Sequence, residues 1–121
     1  MKVLDIIKIL NAKPLYVKDE DFYNVDFNRA FASDLMSDVL ALIKKEFEET
    51  LLLTGLCNAQ SLRTAEMLDL KCLIYVRGKE LDQDTLELAK EMDIAIFTTN
   101  CTMYEACGRL YQKGLSSIDV V

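Results

Sequence analysis

Apolar positions along the chain change period several times, and each change marks an element. Val3, Ile6, Ile7 and Leu10 recur at helical spacing, which predicts a short opening helix ended by Asn11 and Pro14. "PLYV" then reads as a short strand, and "KDEDFYN" as an acidic loop with Phe22 and Tyr23 folded back. "VDFNRAFA" alternates weakly and reads as a second strand ending at Ser33. A helix is predicted over residues 34–47. Its core band combines Leu35, Val39 and Leu42 with Met36, Leu40 and Ile43.

From residue 49 onward the alternation is regular. "ETLLLTG", "KCLIYV" and "IAIFTT" are short, continuous apolar runs. Between and after them lie "NAQSLRTAEMLDL", "LDQDTLELAKEMD" and "TMYEACGRLYQKG", which carry amphipathic helical spacing. Leu62, Ala65 and either Met67 or Leu68 face inward on the first. Asn58, Asp82 or Asp84, and Thr102 are the predicted N-caps, Thr102 with Glu105 as a capping box, and Gly114 is the predicted stop. Such strands alternating with such helices indicate a parallel sheet covered on both faces. The expected fold is therefore α/β: one domain over residues 1–121, three layers α/β/α, a mostly parallel central sheet and an edge or antiparallel N-terminal strand.

Composition narrows the function. The chain has 121 residues, 51% of them hydrophobic, and a formal net charge of −6. An acidic surface argues against nucleic acid or an anionic membrane as partner. No apolar run reaches the length of a membrane span, and "MKVLDIIKILNAK" is too short and too acidic for a signal peptide, so a cytoplasmic location is expected. Four cysteines occur without a C-x-x-C, which reads as free thiols. The absence of histidine removes Ser-His-Asp and Cys-His catalysis and H-E-x-x-H zinc sites.

In parallel α/β sheets ligands sit beyond the carboxyl ends of the strands. Here those ends are "FASD", "LTGLCN", "VRGKE" and "FTTNCT". The expected ligand-binding residues are Ser33, Gly55, Asn58, Arg77, Gly78, Lys79, Thr99 and Asn100. Arg77 and Lys79 would neutralise an anion, the glycines would let the backbone approach it, and Asn58 and Asn100 would orient it. The plainer alternative is that these glycines make turns and that Asn, Ser and Thr cap helices. "VRGKE" is not a phosphate-binding P-loop, because Leu73 and Glu80 stand where glycine and Ser/Thr are required.

Three further candidates carry competing readings. Cys57, in strand–Gly55-x-Cys57-x-Ala59–helix, resembles a nucleophile elbow, with thiolate character expected from the helix that follows. Against it, no histidine base exists, and turn cysteines are commonly inert. Asp34 and Asp38, four apart, would share a helix face and could hold a cation, but a solvated first turn explains them more simply. No metal site and no catalytic residue is assigned. Tyr104, Leu110 and Tyr111 make either a dimer face or ordinary core.

The segments "ASDLMSDVLA", "KCLIYVRGKELDQDTLELAKEMDIAIFTTN" and "YEACGRLYQKGL" together resemble the DRTGG domain family, in order and over nearly the whole chain. The likeness is to stand-alone members, themselves similar to the N-terminal domain of HPr kinase. The kinase chemistry of that enzyme belongs to a P-loop domain, and this sequence has no P-loop. In the family, Asp-Arg follows the strand that here ends at Thr54, and Thr-Gly-Gly follows the next. This chain has "LCN" and "VRGK" at those places, so Gly78 alone matches clearly. The resemblance implies an α/β fold, frequent homodimers and a regulatory or ligand-sensing role. It also implies an adenine nucleotide as candidate ligand, although CBS domains do much of that binding where the two occur together. A protein-interaction module with no small ligand is the alternative function.

Overall fold

The computed structural model describes residues 1–43 and 50–118. The elements, in order, are α1 (Val3–Leu10), β1 (Lys13–Tyr16), a 3-10 turn (Glu20–Asn24), β2 (Arg29–Ala32), α2 (Met36–Leu42), β3 (Thr50–Thr54) and α3 (Ala59–Met67). They continue with β4 (Cys72–Tyr75), α4 (Gln83–Met92), β5 (Ala95–Thr98), α5 (Met103–Gln112) and β6 (Ser116–Ser117). The six strands among the described residues form one sheet in the order β1-β5-β4-β3-β2-β6. β2 to β6 pair in parallel, and β1 lies antiparallel to β5 at one edge, matching the expected architecture.

Period-two alternation explains why the central strands are apolar throughout. Leu51 and Leu53 of β3, and Cys72 and Ile74 of β4, face the layer containing α1 and α5. Leu52, Leu73 and Tyr75 face the opposite layer, with α2, α3 and α4. All five residues of β3 are buried. The acidic loop folds back as its aromatics suggest: Tyr23 packs edge-on against Phe97 at 6.0 Å, and Phe22 lies 6.4 Å from Phe27. No helix among the described residues is long and apolar enough to cross a membrane.

The caps hold in most places. Asn11 takes the left-handed conformation after α1, Asn58 accepts from Gln60 and Ser61 amides, and Asp82 accepts from Thr85. Thr102 caps α5, but the Glu105 carboxylate turns to Arg109, 2.6 Å away. Leu68 is buried and Met67 is exposed, which decides that alternative.

The start of α2 differs from expectation. The helix begins at Met36, with Leu35 in the N-cap position and no side-chain cap. Its buried stripe is Met36, Val39 and Ile43, while Leu35 is 58% exposed and Leu40 is also exposed. The predicted helical residues 44–47 lie outside the described residues. β6, only two serines long, has no apolar pattern to announce it.

Candidate functional site

Crossovers between parallel strands bring the ends of β3, β4 and β5 together, so the segments following Thr54, Tyr75 and Thr98 meet at one edge of the sheet. The tightest of them follows β4. Arg77 and Gly78 both have positive φ, +61° and +67°, and the Lys79 amide donates back to Val76 O at 3.4 Å. This is the geometry of a two-residue reverse turn of the primed kind. Gly78 accepts it without strain; Arg77 does so as an L-residue in a region such residues rarely adopt.

The turn is locked to its neighbour. Arg77 N–H donates to Cys101 O at 2.9 Å, and Gly78 N–H to Thr99 O at 2.7 Å. The Thr98 hydroxyl donates to Lys79 O at 2.6 Å. These backbone amides therefore serve the fold and do not point at a ligand, contrary to the general expectation for the strand ends. The side chains remain directed at the rim. Lys79 Nζ reaches Gly55 O at 3.0 Å, and the Arg77 guanidinium lies against Gly55 itself. A Cβ built on Gly55 would stand 2.7 Å from Arg77 Nη2, so the absence of a side chain there makes room for the cation. A Cβ on Gly78 would lie 2.8 Å from Asn100 Oδ1, which places Asn100 over the turn.

Asp34 completes the cluster, as a partner of its donors and not as a cation ligand. It precedes α2, so it does not share a helix face with Asp38, and the two-carboxylate cation arrangement does not form. Its Oδ1 instead accepts from Gly55 N–H at 2.5 Å and from the Thr54 hydroxyl at 3.4 Å. Its Oδ2 lies 4.0 Å from Arg77 Nη1. Asp34 is exposed, as a solvated position should be, but it lies in a turn ahead of α2 and not in the first turn of the helix. Ser33 Oγ accepts from Leu35 N–H at 3.0 Å and donates to Leu35 O at 3.3 Å. That bend ahead of α2 releases Asp34 toward β3.

Of the eight expected residues, the structure gathers Gly55, Arg77, Gly78, Lys79 and Asn100 into one cluster. Ser33 and Asn58 have local capping and turn roles at its margin. Thr99 is turned inward: it is buried, and its hydroxyl donates to Leu10 O at 2.7 Å while accepting from Cys101 N–H. Thr54, Thr98 and Asp34 are the members that sequence reasoning missed.

Cys57 does not show the thiolate character of an activated nucleophile. Burial pushes its thiol up to about 11; Lys79 pulls the other way, and Asp82 and Glu80 add to the rise. Beneath it, Ser61 Oγ and Tyr75 OH lie 2.7 Å apart, and Ser61 also donates to Asn58 O. Burial is the main reason the Tyr75 phenol is pushed above its usual range. Cys72 and Cys101 are buried; Cys107 is half-buried and lines a groove instead of the core.

That groove, of about 470 Å³, runs between α5 and the β2–β6 edge. Tyr104, Cys107, Gly108 and Tyr111 line its helical side, at spacings that place them on one face of α5. Tyr104 is 91% and Tyr111 71% exposed, whereas Leu110 is buried in the core. The three residues considered together in the sequence thus split: two surface tyrosines and one core leucine.

No family model matches the chain, and no curated protein matches it. Among solved structures, it is similar to the crystal structure of the CBS and DRTGG domains of the regulatory region of Clostridium perfringens pyrophosphatase, complexed with the activator diadenosine tetraphosphate. The identity is 19% and the TM-score 0.71. The match covers 95% of this chain and 50% of that one, so this chain spans about half its length. At this identity the likeness is one of fold, and the expected DRTGG-like architecture is found at that level.

Proposed function

We propose that this chain is a non-catalytic regulatory domain that senses a small anionic ligand, an adenine nucleotide being the candidate. The observation that carries the reading is the convergence of Arg77 and Lys79 on Gly55, at the strand ends where α/β sheets hold ligands. The nucleotide activator bound in the structurally similar regulatory region supports the ligand class. Arg77 and Lys79 supply charge for phosphate oxygens, and Asn100 stands beside them as a hydrogen-bonding side chain.

A thermal-shift series with AMP, ADP, ATP and a dinucleoside polyphosphate tests the proposal. Ligand bound only to the folded state raises the midpoint. The expected result is a concentration-dependent rise that Arg77→Ala abolishes. A flat response to every nucleotide, or a rise that survives Arg77→Ala, refutes the assignment.

The α5 groove favours a second reading that is compatible with the first: a homodimer or accessory module that docks through this face. Two exposed tyrosines beside a concave apolar surface are the composition of an interface anchor. Sedimentation of the wild type against Tyr104→Glu with Tyr111→Glu decides it. A dimer that the double variant converts to monomer is the expected result; a wild-type monomer, or a dimer indifferent to both changes, removes the homodimer reading.

A further inference from the structure

The strongest anion-binding donors of the cluster already have an anion. Gly55 N–H, the Thr54 hydroxyl and the Arg77 guanidinium all face one carboxylate, that of Asp34. Helix capping does not account for this placement, because Asp34 lies outside α2 and α2 begins without a side-chain cap. Desolvation does not hold it there either, since the side chain is 52% exposed. An acid so placed can leave without unpacking the core.

We propose that Asp34 is a built-in competitor at the oxyanion seat, which an incoming ligand must displace from Gly55 N–H and Arg77 before it binds. The inference rests on the anion-sensing reading above and concerns how that same seat is regulated. Its logic is charge and geometry. Arg77 and Lys79 bring two positive charges; Asp34 cancels one and holds the one backbone amide that closes the seat from β3. An oxyanion that takes this amide takes it from Asp34. Displacement releases the Asp34 side chain from Thr54 and Gly55, so ligand occupancy changes what ties the segment between β2 and α2 to the end of β3.

The test is an NMR titration of uniformly labelled protein with inorganic phosphate, for the wild type and Asp34→Asn. Asn keeps the shape and a carbonyl acceptor but removes the repelling charge. Because the ligand must break the half-exposed Asp34–Arg77 pairing at 4.0 Å, and Asn makes no such ion pair, phosphate affinity should be about fivefold tighter in Asp34→Asn. In the wild type, the Asp34 carboxyl carbon should move in step with the Gly55 amide.

Equal affinity in the two proteins, with the Gly55 amide shifting in both, overturns the competitor role and leaves the seat standing. No shift at Gly55 or Lys79 in either protein overturns the seat and the competitor together. If Asp34→Asn does not fold, the wild-type titration decides alone: a Gly55 shift with a stationary Asp34 carboxyl carbon overturns the proposal.

Discussion

Gly55 and Gly78 are glycines for different physical reasons, and replacing each with alanine separates stability from site geometry. Gly78 has φ +67°, so Gly78→Ala places an L-residue in the left-handed region, at a cost of roughly 1–2 kcal/mol. The smaller unfolded-state entropy of alanine returns roughly 0.4–1 kcal/mol. Asn100 Oδ1, 2.8 Å from the new Cβ, is the end of an exposed side chain and can move. The net expectation for Gly78→Ala is a loss of about 1 kcal/mol.

Gly55 has no such backbone demand. Its new Cβ would first meet the flexible end of Arg77, whose pairing with Asp34 at 4.0 Å is half-exposed and worth at most about 1 kcal/mol. The unfolded-state gain offsets that, so Gly55→Ala should leave stability nearly unchanged. Urea unfolding with a constant m-value measures both. The same Gly55→Ala protein should bind an anion more weakly, because Arg77 has been pushed off its position. The reasoning fails if Gly55→Ala destabilises as much as Gly78→Ala, or if it binds nucleotide as the wild type does.

The Cys57 thiol, held up to about 11 mainly by burial, should react with iodoacetamide more slowly than a free thiol at pH 8. Its rate should still be climbing above about pH 10, where a solvent thiol has levelled; a plateau by about pH 10 would contradict the buried placement. Ser61 donates to Asn58 O, so Tyr75 supplies the proton of their 2.7 Å contact. Ser61→Ala strands a buried phenol hydroxyl and should cost about 1–3 kcal/mol, whereas Tyr75→Phe leaves Ser61 a partner and should cost about 1 kcal/mol. Chemical denaturation checks the order of the two, and the reverse order would refute the donor assignment.

What the sequence made legible, and what it hid, follows from the range of each interaction. β3, β4 and β5 and the helices after them were readable, because sheet period, helix period and caps are local. Asn58, Asp82 and Thr102 each satisfy an amide within three residues. Asp34 is exposed as its place in the sequence suggests, but its partner, Gly55, is 21 residues distant and no local pattern points to it. Thr98 and Thr99 were indistinguishable as letters. Strand alternation sends one hydroxyl to Lys79 O at the rim and the other to Leu10 O in the interior. The Arg77–Gly78 turn was visible as glycine, but its docking on Cys101 O and Thr99 O was not.

The two margins of the sheet are not equivalent, and the difference bears on how copies would add strand to strand. At the β1 margin Pro14 offers no N–H to a newcomer and Lys13 adds an exposed charge, two devices that discourage strand addition. Among the described residues, the other margin carries the two residues of β6 beside β2, next to the tyrosine-lined groove. Two copies related by a two-fold axis through that side would each use up their receptive margin. They would present only proline-bearing margins outward, so growth would close at a pair instead of running on into a fibre.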